Sequence, residues 1–264
     1  MKLGGVPHSA LRWLDVAHSE RSPSGGARNK GANAMVEVFT YWDQTDTSPI
    51  VDFKNHWIKE GTQLRIVGDN EVVKILENHF PQFVEKYLEI SIPACRSDLA
   101  RILGLYQYGG LYVDSHCGVY DRQKLHHLYG QLDRYQLVFT RQSSQPLDWR
   151  ASLCLTNAII FARPSCDVLL KVARSIVSNL VKHHDREAGD GFKPYSILKL
   201  SGPVNIEKCL LEIRDNKSNA REDGMDQIMI LAEEHLPVKR YMYPAKLPHS
   251  AHWSQRQKTE LLFG

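Results

Sequence analysis

No stretch of this chain approaches the roughly 18 consecutive apolar residues of a membrane span, and no charged-then-apolar leader opens it. A membrane-spanning protein is therefore not expected. Cysteine pairing signals are also missing. The five cysteines stand scattered at 95, 117, 154, 166 and 209, without a CxxC pair. The preferred reading is reduced, mostly buried thiols in a cytosol. Excess charge of one sign is missing too. Lys and Arg number 33 against 30 Asp and Glu, and the net charge of +3 argues against a nucleic-acid binder driven by a basic patch. Neither an HExxH nor an HxxEH spacing occurs, so a metal-dependent hydrolase, which wants three or more clustered ligands, is a third-rank reading.

What remains is an ordinary globular composition. The 264 residues suffice for one large α/β domain, or one domain with an inserted subregion.

The most informative stretch runs from Cys95 to Tyr120 (CRSDLARILGLYQYGGLYVDSHCGVY). Leu99, Ile102, Leu103 and Tyr106 repeat at the spacing of one apolar helix face. Asp98 and Arg101 lie on a neighbouring face. Gly109-Gly110 stops the helix, because glycine accepts positive φ without steric cost. Leu111-Tyr112-Val113 is a short β-prone run. Asp114 and His116 follow, where ligands bind at the carboxyl ends of strands in open α/β sheets. Asp-Ser-His offers a carboxylate oxygen and an imidazole nitrogen to a divalent metal, whose remaining positions phosphate oxygens and water would fill. The alternative is a surface turn in which Asp114 caps the next segment and His116 is solvated.

This stretch resembles the DXD-motif sugar-transferases, which include yeast-type initiating α-mannosyltransferases, bacterial capsule and lipooligosaccharide transferases, and glucosylating clostridial toxins. The resemblance rests on Ser97-Asp98, Arg101, Tyr108-Gly109-Gly110 and Leu111-Tyr112-Val113-Asp114-Ser115-His116. It implies a GT-A fold: a Rossmann-like nucleotide-sugar-binding domain with a mixed, mainly parallel central sheet flanked by helices. It also implies retention of anomeric configuration. One departure falls on the motif itself, since His116 stands where the family has a second aspartate. A neutral imidazole is a common metal donor, and Asp-X-His also resembles the motif of polypeptide N-acetylgalactosaminyltransferases, which use Mn²⁺.

The rest of the chain divides into a flexible segment, 1–34, and a transferase domain, 35–264. The flexible segment is polar and glycine-rich from Ser19 to Gly31. Met35–Trp42 reads as a strand, Pro49–Glu60 as a helix and Gln63–Val67 as a parallel strand. By resemblance an aromatic at the first strand's end stacks on the donor's base: Trp42, with Tyr41 second. The alternative is an aromatic of the core or its rim. Gly68-Asp69-Asn70 reads as a cap for the next helix, with Asp69 facing the site as the second reading. By resemblance Asp98 accepts hydrogen bonds from ribose or sugar hydroxyls, and Arg101 holds the sugar or neutralises phosphate. Without the motif they would be an ordinary i, i+3 surface pair. Gln136–Thr140 and Leu153–Phe161 read as strands, with Asn157 by resemblance near the donor sugar, or else a buried, satisfied asparagine. The polar loop 141–150 is a candidate acceptor-side lip.

Pro164–Lys182 reads as a long helix ending at His183 and His184, which look solvated or dipole-complementing. Ser201-Gly202-Pro203 resembles the family's Thr-Gly-Pro, the start of a helix facing the donor. Residues 214–226 read as an exposed loop and Gln227–Leu231 as a last strand. By resemblance to the family's histidine and tryptophan near the diphosphate, the tail adds His249 and His252 as candidate third metal ligands and Trp253 as a candidate phosphate-side donor; the alternative is solvated tail histidines.

The expectation is a cytoplasmic retaining glycosyltransferase. Asp98, Arg101 and Asp114 are its candidate catalytic residues. The donor is a nucleotide sugar, UDP preferred over GDP, and the metal Mn²⁺ or Mg²⁺. The acceptor is a glycan, lipid or protein, with no nucleic-acid partner. The competing expectation is a non-catalytic nucleotide-sugar or glycan-binding module with a degenerate metal motif.

Overall fold

The computed structural model describes residues 35–142, 152–217, 228–242 and 252–264. Alternation of β-branched and aromatic residues makes β1 (Glu37–Tyr41) and β2 (Gln63–Val67), joined by helix α1 (Val51–Lys59). Gly61 ends that connection at φ +74°. Helices α2 (Asp69–His79), α3 (Val84–Glu89) and α4 (Pro93–Tyr108) follow. Next come β3 (Gly110–Val113), β4 (Gly118–Val119), α5 (Arg122–Gly130), β5 (Leu137–Arg141) and β6 (Leu155–Ala162). Then α6 (Asp167–Asp190), α7 (Ile197–Leu200), α8 (Pro203–Lys217), β7 (Ile228–Ala232), β8 (Val238–Lys239) and α9 (Trp253–Arg256) complete the described elements.

The main sheet has six strands in the order β2-β1-β3-β6-β5-β7. The pairs β1–β2, β1–β3 and β5–β7 are parallel, while β6 runs antiparallel to both β3 and β5. Reversal of β6 alone leaves the other five strands pointing one way. This is the mixed, mainly parallel sheet expected from the sequence. Two apolar layers cover it. One contains α2, α4 and α6 with Phe39, Leu99, Ile102 and Leu169; the other contains α1 and α5 with Val38, Trp57, Leu111 and Leu125. A two-stranded sheet, β4–β8, stands beside the main one.

The glycine pair after α4 is explained by close approach. Gly110 has φ +89°, and a Cβ there would lie 2.7 Å from the Glu37 carbonyl oxygen. A bare backbone is what lets β3 enter the sheet beside β1.

Three local expectations need correction. Asp69 begins α2, but its side chain caps nothing; Gly68 is the N-cap residue, without a side-chain bond. The carboxylate is taken by Tyr41, Tyr87 and Arg96 instead. Helix α6 continues to Asp190, so His183 and His184 lie inside it. His183 is fully buried and 3.0 Å from Glu187, one turn on. Residues 214–217 belong to α8 rather than to a loop. Leu88 faces solvent, while Phe83 and Tyr87 carry the packing of that segment. The N-terminal segment 1–34, the loop 143–151, residues 218–227 and the stretch 243–251 with His249 lie outside the described residues.

Candidate active site

The carboxyl ends of β1, β2 and β3 share one edge of the sheet. Because β6 is reversed, its beginning meets that same edge: the Asp114 amide donates to the Ala158 carbonyl at 2.9 Å. Asn157 thus comes beside Asp114 although 43 positions separate them. The first half of α4 lies against this edge and contributes Ser97, Asp98 and Arg101. The turn into α8 contributes Ser201.

Asp98 and Arg101 are each only 5% exposed, so they are not a surface pair. Asp98 accepts from Asn157 Nδ2 at 2.7 Å and from Ser201 Oγ at 2.8 Å, with Arg101 Nη2 3.3 Å from its Oδ1. Arg101 donates from Nη1 to the Asn157 carbonyl at 2.6 Å and from Nη2 to Ser97 Oγ at 2.9 Å. The same Nη1 lies 3.4 Å from Asp114 Oδ1, so this guanidinium bridges two carboxylates. Its Cζ sits 4.8 Å from the Tyr112 ring centroid. Tyr112 in turn donates its hydroxyl to Asp114 Oδ1 at 2.7 Å. Burial pushes the Asp98 carboxyl up, while Arg101, Ser201 and Asn157 pull it back down. Burial works against the Arg101 charge, but Asp114, Tyr112 and Asp98 outweigh it and hold the proton more firmly. The result is a fixed positive charge between two acids in a water-poor pocket of the fold.

Gly202 fits this arrangement by packing. A Cβ there would come 2.9 Å from Leu198 Cα and 3.3 Å from Asp98 Oδ2, so a side chain would push Asp98 out of place.

Asp114 and His116 sit in the tight turn after β3, with the Cys117 amide donating back to the Asp114 carbonyl at 2.9 Å. Burial lowers the His116 pKa, with Arg101 and Arg240 acting the same way and Asp114 opposing. The imidazole is thus neutral at neutral pH, the form in which a nitrogen lone pair is free to bind a metal. Among the described residues, no group of three or more His, Cys, Asp and Glu converges as a metal site. The donor set, one carboxylate and one imidazole, suits a transition metal whose shell is completed by phosphate oxygens and water.

The other sequence candidates divide. Tyr41 is 6% exposed, and its hydroxyl is bound to Asp69 Oδ1 at 2.6 Å. Its ring belongs to the core and is not free to stack on a base. Trp42 is half-buried, and its Nε1 donates to the Asp46 carbonyl at 2.8 Å. His252 is the N-cap of α9, its Nδ1 2.7 Å from Ser254 Oγ and accepting from the Ser254 amide at 3.3 Å, which leaves only Nε2 for another role. Trp253 is half-buried and packs on the main apolar layer.

Two further groups stand at this edge: Asp69, whose second reading faced the site, and Tyr241, which the sequence does not signal. Asp69 collects both the Tyr41 and Tyr87 hydroxyls on Oδ1, at 2.6 and 2.5 Å, and Arg96 Nη1 on Oδ2 at 2.8 Å. Tyr241 lies flat on His116, with ring centroids 4.9 Å apart and planes at 10°.

Residues 37–127 match the glycosyltransferase sugar-binding region containing a DXD motif. That span carries Asp98, Arg101, Asp114 and His116, and it supports the resemblance drawn from the motif. Residues 37–127 are thus similar to that sugar-binding region. Among solved structures it is similar to the PaToxG glycosyltransferase, at 13% identity and TM-score 0.45, covering 71% of this chain and 72% of that one. It is also similar to the ligand-free glycosyltransferase domain of the YGT toxin, at 11% identity and TM-score 0.39, covering 67% of this chain and 54% of that one. The UDP-bound form of the YGT domain gives 11% identity and TM-score 0.37 over 79% of this chain and 57% of that one. Comparison with curated protein sequences gives no match. Among the described residues, no helix is long and apolar enough to cross a membrane.

Proposed function

We propose that residues 35–264 form a GT-A glycosyltransferase that transfers a sugar from a nucleotide-sugar donor, UDP before GDP, with retention at the anomeric carbon. The observation that carries this reading is the convergence of Asp98, Arg101, Asp114 and Asn157 at the carboxyl edge of the sheet, inside or beside the matched sugar-binding region. Arg101 supplies a fixed cation that a diphosphate or a partially charged sugar can meet without reorganisation. Both Asp98 oxygens already accept protein donors, so Asp98 offers a sugar hydroxyl only a remaining lone pair and otherwise aims Arg101 and Asn157. Asp114 and His116 would hold the metal, Mn²⁺ before Mg²⁺ because imidazole suits transition metals. When bound, such an ion neutralises a diphosphate leaving group as a Lewis acid. Asp98 and Asp114, the two acids of this cluster, are both tied to Arg101, which supports front-face attack over a carboxylate nucleophile. In that step the acceptor oxygen bonds to the anomeric carbon as the bond to the phosphate oxygen breaks. The acceptor proton passes to the leaving phosphate.

The test is a thermal-shift panel of UDP- and GDP-sugars with Mn²⁺, Mg²⁺ or chelator, on wild type and Asp114→Ala. A ligand that binds only the folded form raises the melting temperature with occupancy. The reading expects a Mn²⁺-dependent shift with a UDP-sugar that Asp114→Ala abolishes. The binding-module reading has one observation in its favour: Asp114 Oδ1 is already engaged by Tyr112 and Arg101. It expects the same shift with chelator present and no donor turnover.

A further inference from the structure

Tyr241 is 68% exposed and adopts φ +61°, a left-handed conformation that side chains rarely take. Burial of its ring does not account for that strain. Its position is nevertheless closely held. The β4–β8 ladder pairs Gly118 with Lys239 and Val119 with Val238, folding the chain back over the Asp114–Cys117 turn. The Tyr120 amide donates to the Pro237 carbonyl at 2.9 Å, and the Tyr120 hydroxyl donates to the Leu236 carbonyl. Arg240 Nη2 pairs with Glu233 at 2.8 Å, just beyond the end of β7. From the opposite side, Trp57 Nε1 donates to the Cys117 carbonyl at 3.0 Å, and His56 Nε2 lies 2.9 Å from the Val119 carbonyl. Among the described residues this scaffolding brings the Tyr241 ring flat onto the His116 imidazole, with Arg240 Cζ 5.5 Å from the ring centroid.

We propose that Tyr241 is a positioning residue for His116, fixing the plane of the imidazole so that its in-plane nitrogen lone pair is aimed where Asp114 can share a metal. This rests on the metal-dependent reading above. Stacking against a ring face leaves both ring nitrogens accessible at the rim. It also removes rotamer freedom that an unstacked histidine would lose on binding the ion. Backbone strain at an exposed residue stacked on a candidate ligand is the pattern of a functional constraint.

The test measures Mn²⁺ affinity directly, by electron paramagnetic resonance of free Mn²⁺ with UDP present, on the full chain. Four proteins are compared: wild type, His116→Ala, Tyr241→Phe and Tyr241→Gly. Phenylalanine keeps the stack and should bind Mn²⁺ within about twofold of wild type. Glycine removes the ring and relieves the positive φ. It should weaken Mn²⁺ roughly tenfold, the scale on which supporting residues act on metal ligands, without lowering the melting temperature. A merely structural tyrosine would move the melting temperature and leave Mn²⁺ affinity alone. If His116→Ala loses Mn²⁺ while Tyr241→Gly binds as wild type does, the role of Tyr241 is refuted and the metal site stands. If wild type binds no Mn²⁺ with UDP, the metal reading and this proposal fall together.

Discussion

Two aspartates at the same sheet edge are each held by an arginine of α4, yet they do different work. Asp98 is paired with Arg101 and bonded to Asn157 and Ser201, partners 59 and 103 positions away. Asp69 is paired with Arg96 and bonded to Tyr41 and Tyr87, 28 and 18 positions away. The Asp98 side chain is 7% exposed and that of Asp69 20%. The first cluster joins β6 and the α8 turn to α4, so it ties distant parts of the chain under cover. The second joins neighbours at the corner of β1, α2 and α3 and keeps one side open to solvent. A buried, fully partnered carboxylate fixes a geometry. A part-exposed one keeps room for a ligand.

The largest effect separating them should be on stability. Asp98→Ala leaves Arg101 buried with one acid and deprives Asn157 and Ser201 of an acceptor, and removing one member of a buried ion pair costs about 3–5 kcal/mol. Asp69→Ala strands two tyrosine hydroxyls and Arg96 nearer to water, at about 1–3 kcal/mol. Urea unfolding of both variants measures the difference. Equal losses would erase the distinction between a tying cluster and a local one.

A smaller effect lies in pH. Burial, with Asp69 adding to it, raises both the Tyr41 and Tyr87 pKa. The folded chain therefore keeps phenolic protons that the unfolded chain gives up near pH 10. Their stabilisation is full below about pH 10 and is lost as pH rises beyond it. Asp98 is shifted upward from the ordinary carboxylate range, so its contribution is present below about pH 4 and lost as pH rises through the shifted value. The two clusters thus act at opposite ends of the scale. Stability-versus-pH curves should lose the alkaline slope in a Tyr41→Phe, Tyr87→Phe double variant and the acid-side slope in Asp98→Asn. Unchanged curves would show that neither shift matters to folding.

The site was legible where its signal was local. Asp98, Arg101, Gly109, Gly110 and Asp114 fall within one helix-turn-strand stretch, whose apolar spacing and glycines state their own geometry. Asn157 and Ser201 came from resemblance, and the structure brings both onto Asp98. Asp69 reads first as a cap, and only second as facing the site, because a helix begins there and capping is the commonest local use of that residue. Its actual partners come from three other elements. His183 was misread because the helix was ended too soon, although His183 and Glu187 stand one turn apart, a visible i, i+4 pair. Helix α5 left a signal that was passed over: Asp121 accepts from the Lys124 amide as N-cap, with Leu125 and Leu128 buried behind it. Tyr241 left none. Strands of two residues are too short for alternation to register.

Glu187 pins residues 262 and 263 to α6. Its carboxylate accepts the Leu262 and Phe263 amides, at 3.0 and 3.1 Å, across about 75 positions of chain. The Ser91 amide donates to the Leu262 carbonyl at 2.8 Å, and Gly264 donates to that of Glu89 at 2.9 Å. In time rather than space, this contact belongs late in folding, since closing so long a loop gives no return until α3 and α6 are already docked. The amides of 262 and 263 should then exchange with solvent as slowly as those of the central strands. They report on completion of the whole fold rather than on the fraying of a tail.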